Sequence, residues 1–158
     1  MILARLPKSV LGVSKEILRH LLRRPVVGIA AAARTEDGRW VLIRRADTGT
    51  WALPGGTLEW GETLRVSLAR ELSEEAGIDA CTFVRVVGVF SHPDRDVRFH
   101  AVTIVAEVKV SEPSRPPMNP LEIREVKLFR DDELPSELAM GMTEMLQAAR
   151  RNDPAVLE

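Results

Sequence analysis

Three glutamates, Glu71, Glu74 and Glu75, lie close together in the sequence at spacings of three and four residues. In an α-helix these spacings place the side chains on one face, within an arc of roughly 100°. Neighbouring like charges repel, and a helix that only faces solvent usually carries lysines between its glutamates. A dense carboxylate face attracts divalent cations, and its hard oxygen ligands indicate Mg²⁺ or Mn²⁺ rather than Zn²⁺.

Glycine turns frame these carboxylates on both sides. Gly55 and Gly56 precede them, and glycine permits a tight or left-handed backbone and a close approach of main-chain carbonyls to a ligand. Thr63 is a candidate N-cap and Gly77 a candidate C′ residue, so the pattern predicts a helix between them. Its core-facing stripe is predicted to lie opposite the carboxylates and to consist of Val66, Ala69, Leu72 and Ala76.

The composition is that of one globular domain. The chain has 158 residues, of which 45% are hydrophobic and 28% charged, and its net charge of −1 gives no general attraction to nucleic acid or an anionic membrane. Cys81 is the only cysteine, which excludes an intramolecular disulfide and a cysteine-based zinc site and is typical of a reducing cytoplasm. The sequence shows neither a membrane-spanning apolar run nor a signal peptide, so we expect a cytoplasmic protein.

The first 25 residues are predicted to be an extension of the domain. Residues 8–24 carry an apolar stripe at helical spacing, and the extension holds six basic residues against one acidic residue. An amphipathic helix of this kind can bind a membrane surface or a partner, or pack on the domain or on the second subunit of a homodimer. The stripe is short and lacks interfacial aromatic residues, which favours packing. Residues 26–150 then form the domain, and residues 151–158 a C-terminal tail.

The remaining chain alternates between predicted strands and helices. The turn signal Glu36-Asp37-Gly38 predicts a hairpin between the first two strands. Strands are expected at residues 26–33, 39–45, 81–91, 98–110 and 125–130. A last helix is predicted with Ser136 as its cap, and the four prolines of residues 113–120 indicate a loop or mobile arm. This order indicates an α/β fold, with a mixed sheet flanked by helices on both faces.

The segment from Gly56 to Ile78 resembles the Nudix box. Its residues match the pattern G-x5-E-x7-R-E-U-x-E-E-x-G-U at every specified position, with Gly56, Glu62, Arg70, Glu71, Leu72, Glu74, Glu75, Gly77 and Ile78. The fixed spacing makes a chance match very improbable. The flanking segments also agree with the family, and the resemblance extends over residues 26–147.

The resemblance implies an α/β/α sandwich with a strand–loop–helix box. It also implies Mg²⁺-dependent hydrolysis of a nucleoside diphosphate linked to another group, X. Glu71, Glu74 and Glu75 then correspond to the metal ligands, the backbone carbonyl of Gly56 to a further ligand, and Mn²⁺ to an alternative ion. Arg70 is expected to orient the glutamates through salt bridges.

A catalytic base must accept the proton of the attacking water. Glu74 and Glu75 are candidates within the box. Glu122, which follows the proline-rich segment, corresponds to the glutamate of a downstream loop that serves as the base in several Nudix subfamilies. The sequence does not choose among the three.

The segment from Ser91 to His100 bears on the identity of X. It is similar to the S-x-P-x-R-D-P-R-x-H pattern of many ADP-ribose pyrophosphatases, although Val97 replaces the second proline. Guanidinium groups can bind phosphates as forks, and aromatic rings can stack on a base. The candidate substrate contacts are Arg44 with its neighbour Arg45, Arg95, Arg98, and Phe99 or Phe90.

The predicted partner is therefore a small nucleotide. ADP-ribose or another nucleoside diphosphate sugar is the first expectation, cleaved to a nucleoside monophosphate and a sugar phosphate. A nucleoside triphosphate substrate stays open. RNA 5′-pyrophosphohydrolysis and a non-catalytic nucleotide-binding role are less favoured, because the charge offers little attraction for RNA and the box is complete.

Overall fold

A computed structural model describes residues 24–158, and the predicted helix of residues 8–24 lies outside the described residues except for Arg24. The strands of the described part are β1 (Val26–Thr35), β2 (Trp40–Arg45), β3 (Trp51–Ala52), β4 (Gly55–Thr57), β5 (Cys81–Phe90), β6 (Ala101–Val110), β7 (Ile123–Phe129) and β8 (Val156–Leu157). The α-helices are α1 (Leu64–Ala76) and α2 (Met142–Arg151). Within residues 24–158, no helix has both the length and the apolar character needed to cross a membrane.

All these strands belong to one mixed sheet, which confirms the predicted α/β class. The strand order is β3-β2-β1-β6-β5-β8, with β4 paired to β1 and β7 paired to β2. Strand β1 runs parallel to β6, from the pair Val26–Ala101 to the pair Thr35–Val110. The predicted hairpin between β1 and β2 is present, and Gly38 adopts φ +88° in its turn.

Strand β1 lies at the centre of the molecule. Both helices contact it, and the four alanines Ala30–Ala33 are at most 1% exposed. Alanine is a poor strand former, but a strand that is covered on both faces can be apolar without alternation, and small side chains let neighbouring elements approach closely. The central position of β1 therefore explains the alanine run.

The last helix begins later than the sequence predicts. It starts at Met142, after a short 3₁₀ turn at Ala139–Gly141, and Gly141 is its N-cap in place of the predicted Ser136. Met140 and Gly141 both adopt positive φ, 54° and 67°, and a backbone in this region cannot continue a right-handed helix. The short strand β8, which runs parallel to β5, was not predicted in the C-terminal tail.

Candidate active site

Helix α1 presents the three clustered glutamates. Thr63 is its N-cap, with a hydroxyl that accepts a hydrogen bond from the Val66 amide, and Gly77 ends it in the left-handed conformation at φ 66°, as predicted. The prediction of the buried face was correct for Leu72 and Ala76 and wrong for Val66 and Ala69. Val66 and Ala69 are exposed, whereas the buried face is formed by Ser67, Leu68, Glu71, Leu72, Glu75 and Ala76. The helix is thus rotated so that two of its carboxylates point into the protein.

The glycine turn of β4 explains why these two carboxylates can be buried. Strand β4 pairs with β1, and its Gly55 amide donates a hydrogen bond of 2.7 Å to the Glu75 carboxylate. A Cβ atom on Gly56 would overlap the Glu71 carboxylate. Gly56 thus permits a close approach to its backbone, and the group that approaches is the side chain of Glu71. The approach of the Gly56 carbonyl to a ligand stays a prediction.

Arg70 joins three carboxylates on the outer side of the turn. Its Nε lies 2.8 Å from Glu62 Oε1, and its Nη1 lies 2.9 Å from Glu71 Oε1 and 3.3 Å from Glu74 Oε2. The hydrogen bond from Arg70 is the main reason that the pKa of Glu62 falls to about 2, and the same pairing raises the pKa of Arg70. These contacts agree with an orienting role for Arg70, since its side chain does not line the cavity beside the glutamates.

Burial dominates the electrostatics of Glu71 and Glu75. Desolvation raises the pKa of Glu75 to about 8, and the negative charges of Glu71 and Glu122 act in the same direction. Desolvation also raises the pKa of Glu71, although Arg70 opposes it. Within the described residues Glu75 forms no ion pair. Burial without an ion-pair partner thus disfavours the ionised form of Glu75, and a bound cation would favour it.

The clustered glutamates of α1 fit a divalent cation by their charge and by their oxygen donor atoms. Their oxygen atoms are the hard ligands that Mg²⁺ and Mn²⁺ prefer, and a cation beside Glu71 and Glu75 would offset the desolvation of both carboxylates. In residues 24–158, no three acidic, histidine or cysteine side chains lie close enough together to hold a metal ion as they stand. The third carboxylate, of Glu74, is half-exposed and is bound to Arg70.

A cavity of about 290 Å³ opens beside these carboxylates. Glu71, Glu75 and Glu122 line it, and Arg98 lies in its wall with Asp96. Asp96 is buried and holds the Arg98 guanidinium through hydrogen bonds of 2.9 and 2.7 Å, which lowers the pKa of Asp96. The apolar part of the lining consists of Val26, Ile29, Ala30, Phe99, Ala101, Met140 and Met142. The cavity is thus lined by carboxylates on one side, by the guanidinium group of Arg98, and by an apolar wall.

The loop that carries Glu122 is held against the C-terminal end of α1. Arg115 Nη1 donates a hydrogen bond of 2.6 Å to the carbonyl of Ser73, and its Nη2 bonds the side chains of Ser73 and Asp79. The amide of Met118 donates to the carbonyl of Glu74 over 2.8 Å. The proline-rich segment is therefore bonded to the helix at several points, although the sequence left open whether it is a loop or a mobile arm.

The predicted substrate residues divide into two groups. Arg98 and Phe99 line the cavity, as does Arg45. Arg44 and Arg95 do not line it. Arg44 lies over the Trp51 ring, at 5.9 Å from its centroid, and pairs with Glu125 at 3.7 Å. Successive residues of a strand point to opposite faces, which is why Arg45 reaches the cavity and Arg44 does not.

Asp96 is the main site residue that sequence reasoning missed. Its position two residues before Arg98 is a signal that could have identified it, because a carboxylate at this spacing in a loop can hold the guanidinium that follows. The apolar wall formed by Met140 and Met142 gave no such signal. These two residues reach the cavity only because the chain turns at Met140 and Gly141.

Comparison with known proteins agrees with the resemblance of the sequence to the Nudix box. The NUDIX domain family matches residues 22–149. An ADP-ribose pyrophosphatase from Methanocaldococcus jannaschii is 41% identical over 73 residues, which are 44% of this chain and 43% of that protein. The chain thus spans less than half the length of this curated relative.

Two solved structures match over most of their length. A MutT NUDIX hydrolase from Burkholderia pseudomallei is 30% identical with a TM-score of 0.66, and the match covers 80% of this chain and 98% of that one. The NUDIX domain of Shewanella oneidensis NrtR, complexed with ADP ribose, is 20% identical with a TM-score of 0.72, over 88% of this chain and 97% of that one.

Proposed function

The chain belongs to the Nudix family, and on that basis we propose that it hydrolyses the diphosphate bond of a nucleoside diphosphate linked to X. The first choice for the substrate is ADP-ribose or another nucleoside diphosphate sugar. The products would be a nucleoside monophosphate and a sugar phosphate. The relative from M. jannaschii and the ligand of the S. oneidensis domain support this substrate class.

One observation carries the proposal. Two buried carboxylates, Glu71 and Glu75, face a cavity that also contains the guanidinium of Arg98. A diphosphate is a dense anion, so two carboxylates beside it would repel it unless a divalent cation lay between them. The arrangement therefore suits a substrate that arrives with Mg²⁺ or Mn²⁺ and has further negative charge for Arg98 to bind.

A divalent cation bound at the glutamates would neutralise the diphosphate and lower the pKa of the attacking water. Glu71, Glu74 and Glu75 are the residues that would hold it, with the backbone carbonyl of Gly56 as a further oxygen donor. Arg70 would keep Glu71 and Glu74 in position through the salt bridges described above.

Glu122 is our choice for the catalytic base. It lines the cavity and is exposed, so its carboxylate can accept a proton from the attacking water and release it to solvent. Glu75 is less suited to this role, because its carboxylate is buried and already accepts a hydrogen bond from the Gly55 amide. The loop bonds from Arg115 and Met118 would hold Glu122 in place during the reaction.

The apolar wall of the cavity suggests where the nucleoside lies. Phe99 offers a ring, with Met140 and Met142 near it, and the Arg98 guanidinium lies 5.2 Å from the centre of the Phe99 ring. A base can stack on such a surface while the diphosphate extends toward the glutamates. In this orientation the phosphates would lie between the side chain of Arg98 and the acidic end of the cavity.

Product analysis tests the proposal. The purified protein is incubated with Mg²⁺ and, separately, with ADP-ribose, a UDP-sugar, a GDP-sugar and a set of deoxynucleoside triphosphates, and the products are separated by ion-exchange chromatography. We expect a nucleoside monophosphate and a sugar phosphate from at least one diphosphate sugar. Turnover of triphosphates alone, with release of pyrophosphate or orthophosphate, would replace the diphosphate-sugar proposal by a triphosphate pyrophosphohydrolase. Absence of turnover with every substrate would overturn the activity itself.

A further inference from the structure

Arg95 occupies a position between three separate parts of the chain. Its side chain is only 15% exposed, although the sequence predicts that it binds a phosphate of the substrate. Its Nη1 donates a hydrogen bond of 3.0 Å to the carbonyl of Gly141, and its Nη2 lies 2.7 Å from Glu144 Oε2 at the start of α2. Its Nε lies 3.1 Å from Glu158 Oε2, just beyond β8. All three nitrogens of the guanidinium are thus occupied by groups of the protein.

The contacts of Glu158 extend this arrangement into the loop that carries Arg95. Glu158 Oε2 also accepts hydrogen bonds from the amides of Ser91 and His92, at 2.6 and 2.7 Å. The guanidinium packs on Phe90 as well, 5.4 Å from the ring centre. The first residues of the loop that follows β5 are therefore bound to the same carboxylate as the guanidinium of Arg95.

The elements that Arg95 joins form two walls of the cavity. The loop after β5 supplies Arg98 and Phe99, whereas Met140 comes from the turn before α2 and Met142 is the first residue of α2. The two walls meet where Arg98 Nη2 lies 3.4 Å from the sulfur of Met140. Arg95 lies behind this meeting point and does not line the cavity itself.

The turn before α2 needs such support. Met140 adopts φ 54° and ψ 35°, a conformation that is uncommon for residues with a side chain and persists only where the surroundings fix it. Gly141 follows at φ 67°, and a Cβ atom there would overlap the Arg95 guanidinium. The Arg95 side chain thus fills the space that the glycine leaves, and it binds the carbonyl of the same residue.

We infer that Arg95 is a positioning residue for substrate binding: it holds the Arg98–Phe99 wall and the Met140–Met142 wall at a fixed separation and does not contact the substrate. This inference rests on the proposed function for its substrate, a nucleoside diphosphate sugar. In this role Arg95 sets the width of the cavity at the end where the nucleoside is proposed to bind. The hydrolytic end, at Glu71 and Glu75, is held by α1 and β4 and does not depend on Arg95.

The test compares Arg95→Gln and Arg95→Lys with the control Arg39→Gln. Arg39 also pairs with two carboxylates, of Asp37 and Glu112, but it does not line the cavity or contact its walls. We measure kcat and KM with ADP-ribose and Mg²⁺, together with the folded fraction by circular dichroism. Arg95→Gln is expected to raise KM about tenfold with a much smaller change in kcat, since a small displacement of binding groups is costly.

Arg95→Lys and Arg39→Gln test whether the change in KM is specific to the bonds of Arg95. Arg95→Lys keeps the charge but cannot bind Gly141, Glu144 and Glu158 together, so its KM is expected to lie between those of the wild type and Arg95→Gln. Arg39→Gln should leave both constants within about twofold of the wild type. An unchanged KM in Arg95→Gln, or equal changes in the arginine control, would overturn the inference.

Hydrogen exchange provides a readout that does not depend on turnover. In Arg95→Gln we expect faster exchange at the amides of residues 91–99 and of residues 139–142 together, with no change at the amides of α1. If the wild type hydrolyses no substrate, the proposed function fails while this measurement still decides whether Arg95 couples the two walls. Faster exchange in only one of the two segments, or in neither, would contradict the coupling.

Discussion

The carboxylate of Glu71 lies in the space that a side chain on residue 56 would need. This contact within the protein explains why residue 56 is a glycine. The explanation does not depend on whether the Gly56 carbonyl also binds a cation. Strand β4 and helix α1 can approach each other only because Gly56 has no Cβ, and the burial of Glu71 depends on that approach.

Replacing Gly56 by alanine should therefore affect activity more than stability. The added methyl group would displace the Glu71 carboxylate, which is the end of a flexible side chain, so the free energy of unfolding should fall by only about 1–3 kcal/mol. We expect kcat/KM for ADP-ribose to fall at least about 100-fold, because the residue that we propose as a metal ligand moves. Steady-state kinetics and chemical denaturation measure the two effects.

Gly49→Ala provides the matched control for that variant. Gly49 has φ 71°, and a Cβ atom there would meet no other atom within 4 Å. This variant should lose stability through backbone strain alone, by about 1 kcal/mol, and keep its activity. Comparable activity in Gly56→Ala and Gly49→Ala would contradict the role given to the Gly56–Glu71 contact.

The sequence predicted the local features of helix α1 better than the elements that surround it. The carboxylates, the N-cap at Thr63 and the end of the helix at Gly77 follow from spacing along one element, which local rules describe well. Whether Arg44 or Arg45 faces the cavity depends on the placement of β2 in the sheet. The inward rotation of Glu71 and Glu75 depends on β4, a strand of three residues that no sequence pattern marks.

Contacts between distant parts of the chain also explain why Arg95 and Arg98 occupy different positions. Both are arginines in one loop, and the sequence predicts the same phosphate contact for both. Asp96 directs Arg98 into the cavity, while Gly141, Glu144 and Glu158 hold Arg95 behind it. These three partners are 46 to 63 residues away in the sequence, so only the folded chain distinguishes the two arginines.

Stability of the metal-free protein should depend on pH through Glu75. Its pKa of about 8 in the folded protein lies above the ordinary value of 4.5, so the folded state binds more protons than the unfolded state between these values. The free energy of unfolding should therefore fall as pH rises through this window, by up to about 1.4 kcal/mol per pH unit from this group.

Denaturation curves at a series of pH values, recorded with a chelator present, measure this dependence. Glu75→Gln should flatten the decline between pH 5 and pH 8, because the amide carries no titrating proton. Mg²⁺ should stabilise the wild type most at the alkaline end of the window, where the free carboxylate is most costly. A wild-type profile that rises across this range would contradict the burial of an unpaired Glu75.

Arg98→Gln should weaken substrate binding. A hydrogen bond to a charged group contributes about 1.5–3 kcal/mol, so KM for ADP-ribose should rise roughly 10- to 100-fold. The buried Asp96 would lose its partner in this variant, and the double variant Arg98→Gln with Asp96→Asn should recover stability without recovering affinity. Equal KM values for the wild type and Arg98→Gln would remove Arg98 from the substrate site.

Arg115→Gln should lower kcat without changing substrate affinity. It removes the bonds from the Glu122 loop to Ser73 and Asp79, so Glu122 should be less well positioned and kcat should fall about tenfold. Arg151→Gln is the control, since Arg151 also pairs with an aspartate, Asp153, and does not line the cavity. A change in KM alone would indicate that the loop contacts the substrate and does not position the base.

The most direct test of the central claim compares the wild type with Glu71→Gln and Glu75→Gln in one assay of ADP-ribose hydrolysis, across a titration of Mg²⁺. Circular dichroism first establishes that all three proteins are equally folded. We predict that the wild type releases AMP and ribose phosphate in proportion to bound Mg²⁺, and that each variant loses at least about 1,000-fold in kcat/KM. Hydrolysis at the wild-type rate by either variant, or a wild-type rate that does not depend on a divalent cation, would contradict the account.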